Sequence, residues 1–191
     1  HDLVEAILFV WYPGEEGGNA VADVLFGDVP PSGKLPITFP KSIDQLPPYE
    51  DYNMKGRTYK YMTEEPQYPF GFGLTYTTFE YTNLSIDENY KTTVSVTNSG
   101  NIDSEEVVQL YISSPLAGKE DPIYDLKAFK RVFIKAGETK TITFNLTKDT
   151  FNQFNNEGKE VIRNGEYTVY VNGTLPSKRS EELGGSKAIK T

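Results

Sequence analysis

Hydrophobic periodicity changes part-way along this chain. From residue 79 onward apolar and polar positions alternate in short runs, as in Ile142, Phe144 and Leu146 against Thr141, Thr143 and Asn145, the period of strands with one covered face. Such runs predict strands at residues 79–87, 91–98, 106–113, 126–134, 139–146 and 165–172. Turn chemistry separates them: Asn98-Ser-Gly-Asn101, Ala136-Gly137 and Asn164-Gly165. Six such runs over roughly 110 residues, close to the usual seven or so, make the pattern of a two-sheet β-sandwich.

Residues 4–10, Val-Glu-Ala-Ile-Leu-Phe-Val, are instead almost continuously apolar, the pattern of a strand covered on both faces in a parallel sheet. A tight Gly-rich turn follows, then a helix predicted from about Asn19 to Phe26. Ala20, Val21, Val24 and Leu25 form its apolar face, Asn19 is a candidate N-cap and Gly27 the stop. Ser32-Gly33 turns into a last run at 34–39, where Pro36 marks an edge or irregular strand. A doubly covered strand needs neighbours, and only one helical pattern follows before the β runs begin. The chain is therefore expected to be a C-terminal portion of something larger. An uncovered apolar patch recruits partners or aggregates, so residues 3–26 are expected to pack on the sandwich, on a second copy or on other polypeptide.

Between these regions, residues 41–78 are rich in Pro and in large rings and show no sustained period. Flexible linkers are Gly/Ser-rich and poor in aromatics, so this reads as an ordered connector. The expected division is thus 1–40, a terminal piece of an α/β domain; 41–78, the connector; and 79–191, the sandwich. The fold class is mainly β.

Composition narrows the chemistry. Aromatics make up 13% of the 191 residues against 37% for all apolar types, so burial leans on Tyr and Phe. A net charge of -8 argues against nucleic acid and anionic membranes as partners, and no apolar run is long enough to suggest a membrane span. With no Cys and one His, at position 1, thiol chemistry, paired-His metal sites and Ser-His-Asp triads are excluded within these residues. Acid-base chemistry would fall to carboxylates. No cofactor or metal is expected; the acidic stretch Asn101-Ile-Asp-Ser-Glu-Glu106 lacks the alternating ligand spacing of a calcium loop.

The run Trp11-Tyr-Pro-Gly-Glu-Glu-Gly-Gly-Asn-Ala-Val-Ala-Asp-Val-Leu-Phe-Gly-Asp28, followed by Pro31-Ser-Gly-Lys-Leu-Pro-Ile-Thr-Phe-Pro40, resembles the closing segments of the second domain of glycoside hydrolase family 3. Gly56-Arg-Thr-Tyr-Lys-Tyr61 and Tyr68-Pro-Phe-Gly-Phe-Gly-Leu-Thr-Tyr-Thr-Thr-Phe79 resemble that family's connector. Glu106-Val-Val-Gln-Leu-Tyr111 with Leu126-Lys-Ala-Phe-Lys-Arg-Val132 resembles its fibronectin type III-like domain. The resemblance implies a fibronectin type III-like β-sandwich preceded by a partial α/β (strand-helix-strand) segment. It also implies a parent enzyme that releases sugars from β-glucosides, β-xylosides and similar substrates with retention. In the family a barrel carries the Asp nucleophile and the following α/β sandwich the Glu acid/base, and neither position falls on these motifs. The implied partners are those barrel and α/β domains and a β-linked glycoside. Many relatives are periplasmic or secreted.

The remaining candidates admit two readings each. Glu15 and Glu16 precede a helix at a strand-to-helix turn, where open α/β sheets bind ligands. Adjacent residues share one wall, however, whereas a retaining glycosidase opposes its carboxyls across the sugar at about 5 Å, and acidic groups there also stabilise a helix N-terminus. Gly14, Gly17 and Gly18 lack the order of a phosphate cradle. The rings from Tyr49 to Tyr81 either glue the connector between two domains or, with Arg57 and Asp51, meet a sugar. No catalytic residue is assigned; Glu15, Glu16, Arg57, Tyr59 and Tyr61 are the substrate-adjacent candidates. The alternatives to a glycosidase portion are a non-catalytic carbohydrate-binding or adhesion module and a pure scaffold. The triplets at Asn83, Asn145 and Asn172 fit glycosylation only as a pattern.

Overall fold

The computed structural model describes residues 3–191. Its core is a pair of antiparallel sheets. One has the order β1-β2-β5, from strands β1 (Phe79–Ile86), β2 (Lys91–Asn98) and β5 (Thr139–Asn145). The other has the order β4-β3-β8-β9, from β3 (Ser104–Ser113), β4 (Asp125–Ile134), β8 (Thr168–Asn172) and β9 (Ile189–Lys190). A small hairpin joins β6 (Gln153–Phe154) to β7 (Glu160–Val161). Alternation drives the packing: Val94 and Val96 of β2, Val108, Leu110 and Ile112 of β3, and Ile142 and Phe144 of β5 all point into one buried cluster.

Two of the turns predicted from the sequence have a clear physical job. Asn98, fully buried, donates from its amide to the carbonyls of Ile102 (2.8 Å) and Ile134 (3.0 Å) and accepts from the Thr77 hydroxyl (2.6 Å). A buried carboxamide is tolerated because it replaces backbone bonds lost where the strands end. Gly137, at φ 74°, supplies the left-handed turn between β4 and β5. The β6–β7 hairpin, the short helix α3 (Lys178–Glu182) and β9 were not predicted, since such short elements leave no periodicity to read. β9 pairs with β8 through Tyr170–Lys190 and Val171–Ile189.

Ahead of the sandwich the outcome differs. Helix α1 (Gly17–Phe26) forms and ends as expected, with Gly27 at φ 84° donating its N–H to the Val24 carbonyl. Asn19 does not cap it. The helix starts earlier, Glu16 occupies the N-cap position, and the Asn19 amide donates to the Glu16 carboxylate at 2.5 Å. The predicted strand at 4–10 is not a strand: those residues pair with no neighbour among the described residues, and Ile7, Phe9 and Val10 stay 41–57% exposed. Nor does 34–39 form one; it makes a single bridge, Phe39 to Tyr68, and irregular bonds such as Leu35 N–H to the Phe72 carbonyl (2.9 Å). A strand is a relation between chains, and these runs find no sheet to join. Residues 3–26, expected to be covered by one of three surfaces, are not covered by the sandwich. They meet the rest of the chain at few points, Phe9 edge-on to Phe39 (5.4 Å) and the Tyr76 hydroxyl donating to the Val24 carbonyl (2.6 Å) among them.

The connector, with its single-turn helix α2 (Thr58–Tyr61), lies on the outer face of the β3 sheet. The Gln109 amide donates to the carbonyls of Gly71 (3.0 Å) and Gly173 (2.9 Å), and the Tyr111 hydroxyl to the Gln109 amide oxygen. Gly71 sits at φ 73°, and a Cβ there would run into that same oxygen, so the close approach requires glycine. After β8 the chain turns through helix α3 (Lys178–Glu182), capped by the Ser177 hydroxyl.

Candidate functional site

The sequence-derived candidates separate in space by role. Glu15 and Glu16 are exposed in the turn before α1; the Glu16 carboxylate accepts from the Asn19 amide, and its carbonyl from the Ala20 N–H at 3.0 Å. No described contact links either to the other three. Arg57, Tyr59 and Tyr61 share the connector, but each is partly buried. Tyr59 stacks on Phe70 at 4.2 Å, sits edge-on to Tyr111 at 6.1 Å, and its hydroxyl accepts from the Leu126 N–H at 3.3 Å. Burial pushes its phenol pKa up. The face of Tyr59 is thus occupied by protein.

Arg57 organises its own loop. Its guanidinium donates to the carbonyls of Pro48 (3.0 Å), Asp51 (2.5 Å) and Asn53 (3.1 Å). Asp51 in turn accepts from the Asn53 N–H (2.9 Å) and the Asn53 amide (2.7 Å), and these bonds hold its carboxyl below the usual carboxylate range. Thr58, next in the chain, has φ 55°, a strained value for a β-branched residue.

A cleft of about 340 Å³ opens between the connector and the sandwich, lined by Tyr59, Glu64, Glu65, Tyr124, Lys178 and Arg179 among others. Its two carboxylates are sequence neighbours, and Glu65 is paired with Lys41 at 2.6 Å. This is not an arrangement of opposed acid and nucleophile. Among the described residues no group of three or more His, Cys, Asp or Glu side chains is placed to hold a metal ion, and no helix is long and apolar enough to cross a membrane.

Sequence reasoning missed the polar seam between the first segment and the sandwich. Glu106, almost wholly buried, accepts from the Tyr81 hydroxyl at 2.8 Å and faces the Lys34 ammonium at 3.5 Å; that ammonium also donates to the Gly73 carbonyl at 2.9 Å. Burial raises the Glu106 pKa, with Lys34 and Tyr81 offsetting part of the effect. Gly173 leaves the space, since a Cβ there would clash with the Glu106 carboxylate. The signal was present: positions 106, 108, 110 and 112 share a face, so a carboxylate at 106 had to be inward. A second seam joins Asp125 of β4 to Lys60 (2.7 Å) and Lys127 (2.8 Å). The acidic stretch 101–106 is likewise structural, Asp103 accepting from the Ala136 N–H at 2.8 Å. Of the glycosylation triplets, Asn172 is buried and donates to the Ser186 carbonyl at 2.7 Å, while Asn83 and Asn145 are exposed.

Comparison with known proteins places these parts. Residues 1–76 match the profile of the glycosyl hydrolase family 3 C-terminal domain, and residues 106–174 that of a fibronectin type III-like domain. A xylan 1,4-beta-xylosidase of Xylanibacter ruminicola is 44% identical over 94% of this chain and 21% of its own length. A periplasmic beta-glucosidase of Salmonella typhimurium is 38% identical over 87% of this chain and 24% of its own. Among solved structures, beta-glucosidase 3B from Thermotoga neapolitana superposes with a TM-score of 0.84 at 32% identity, covering all of this chain and 28% of that one. The chain thus spans 21% to 28% of the length of these three relatives.

Proposed function

We propose that this chain, whose residues 1–76 match the glycosyl hydrolase family 3 C-terminal domain, works as the C-terminal portion of a retaining β-glycosidase acting on β-glucosides or β-xylosides. On this reading it braces the catalytic domains and does not turn over substrate alone. The observation that carries it is the strip of exposed apolar side chains over residues 3–29, within the segment that matches the family. Leu3, Ile7, Phe9, Trp11, Leu25 and Phe26 are each at least 47% exposed, a patch that an adjoining layer of a larger α/β domain would cover. The names of the relatives, beta-xylosidase and beta-glucosidase, supply the substrate class. The division at residues 40 and 78 belongs to the same proposal, with the polar seams at Lys34–Glu106 and Lys60–Asp125 tying the three parts together. Glu15 and Glu16 then serve the α1 turn.

Grafting this chain in place of the matching segment of the Xylanibacter ruminicola enzyme tests the proposal. The expected result is a folded chimera that hydrolyses an aryl β-xyloside, while the chain alone does not. Turnover by the isolated chain at the rate of an intact enzyme, or a folded but inactive chimera, would refute it.

A further inference from the structure

We propose that Asn164-Gly165 is a self-modification site, where the asparagine side chain passes through a cyclic imide to aspartate and isoaspartate with water as the other reactant. The reaction asks three things of an asparagine. The next main-chain nitrogen must reach the side-chain carbonyl carbon, which a following side chain obstructs and glycine does not. That nitrogen must be able to lose its proton to solvent, and the carboxamide must be free to turn. Two Asn-Gly pairs occur in the chain, Asn164-Gly165 and Asn172-Gly173, and the fold treats them oppositely.

Asn172, the last residue of β8, is 1% exposed and Gly173 is buried. The Asn172 amide donates to the Ser186 carbonyl at 2.7 Å, and its oxygen accepts from the Gly173 N–H at 2.8 Å. The carboxamide is thus pinned, and the nitrogen that has to attack spends its proton out of reach of water. Asn164, Gly165 and Glu166 are all exposed in the turn ahead of β8, and no described hydrogen bond engages the Asn164 side chain or the Gly165 N–H. Gly165 is fixed there by the fold: its φ is 133°, and a Cβ would stand 3.0 Å from the Pro115 ring. Asn53, Asn83 and Asn145, also exposed, are followed by Met or Leu.

The atoms balance without a redox partner. Hydroxide takes the Gly165 amide proton, the nitrogen forms a bond to the Asn164 side-chain carbonyl carbon, and the bond from that carbon to the side-chain nitrogen breaks, releasing ammonia as water returns a proton. Water then opens the imide. Opening at the side-chain carbonyl gives aspartate, and opening at the main-chain carbonyl gives isoaspartate; the sum is asparagine plus water to carboxylate plus ammonium. The new charge lies beside Arg163, whose guanidinium holds buried Asp121 at 2.9 Å and Glu120 at 3.3 Å. Isoaspartate also adds a methylene to the main chain within the loop that the Arg163 N–H closes on the Tyr167 hydroxyl at 2.8 Å, and Tyr167 is edge-on to Phe151 at 5.4 Å.

The test is incubation of the 191-residue chain, folded and in denaturant, with peptide mapping by mass spectrometry over time. In the folded chain the peptide holding Asn164 should gain about 1 Da and yield isoaspartate, at a rate that rises with pH, while the peptide holding Asn172 stays unchanged. In denaturant both pairs should react alike. Asn164→Gln, whose longer side chain closes a less favourable ring, should abolish the change at this position over the same period. The aged protein should unfold at a lower temperature than fresh protein, and the aged Asn164→Gln variant should not. Reaction at Asn172 as fast as at Asn164 in the folded chain, or no gain at Asn164 while the unfolded chain reacts at both, overturns the proposal. A modified protein of unchanged midpoint overturns the consequence drawn for the Arg163 loop.

Discussion

Strand β3 and residues 4–10 are both rich in β-branched and aliphatic side chains, yet they meet opposite fates. Val108, Leu110 and Ile112 are wholly or almost wholly buried, while Ile7, Leu8, Phe9 and Val10 remain 40–57% exposed. β3 has β4 on one side and β8 on the other, in registers running from Ser104–Ile134 to Ser113–Thr168; residues 4–10 have neither. An apolar run is half of an interaction, and its contribution is realised only when a second surface removes it from water, at about 1.5 to 3 kcal/mol per large aliphatic side chain.

Matched truncations are the strongest way to break that comparison. Leu110→Ala should cost about 2 to 5 kcal/mol in chemical denaturation, from lost transfer energy plus the cavity left behind. Ile7→Ala should stay within about 0.5 kcal/mol. Equal losses at the two sites would mean that residues 4–10 are packed in solution after all.

The seam at Glu106 sharpens the comparison at the boundary between the two regions. Lys34→Met leaves a buried carboxylate without its cation and should destabilise the fold by about 3 kcal/mol. Glu106→Gln in the same background should recover most of that loss. Hydrogen exchange at residues 31–39 should accelerate with Lys34→Met if the seam is what docks this stretch on the sandwich.

The same carboxylate predicts a pH dependence. Burial raises the Glu106 pKa in the folded state, so between the unfolded and folded values the native protein binds more protons than the unfolded one. Its contribution is full below the unfolded pKa, about 4.3, and is lost as pH rises through the raised folded value. Asp125 has the opposite sign: burial alone would raise its pKa, but Lys127 and Lys60 outweigh that and lower it. Its contribution is present above the unfolded carboxylate range and is lost as pH falls through the folded value. Unfolding free energy measured against pH in Glu106→Gln should lose the first slope and retain the second.

The smallest expected effect is at Gly27. Alanine at φ 84° costs about 1 kcal/mol, but α1 has few contacts with the sandwich. The helical signal should weaken while the unfolding midpoint of the sandwich stays put. A shifted midpoint would show that α1 and the sandwich unfold as one unit.

The sandwich was legible because period-2 alternation with Gly and Asn turns is a local code. Strand β2 falls at Lys91–Asn98 as predicted, and β1, β3, β4 and β5 lie within two residues of their predicted ends; β8 starts three residues late. The family, too, was legible in motifs such as Trp11 to Asp28 and Tyr68 to Phe79. Arg57 stood out in the sequence, but only folding turns its guanidinium onto the carbonyls of Pro48, Asp51 and Asn53. Tyr49, Tyr52, Tyr59 and Tyr61 are alike as letters, and the sequence-derived choice of Tyr59 and Tyr61 fell on rings that the connector partly buries.

By itself, then, the order of side chains determined where strands begin, where they turn and which face of each is apolar, since these depend on neighbours a few positions away. Tertiary structure decided which apolar runs were covered, which carboxylate was neutralised by a lysine 72 positions earlier in the chain (106 less 34), and which rings stayed in water. Those outcomes are set by contacts between distant parts of the chain, whose energies depend on the partner that arrives and not on the run that awaits it.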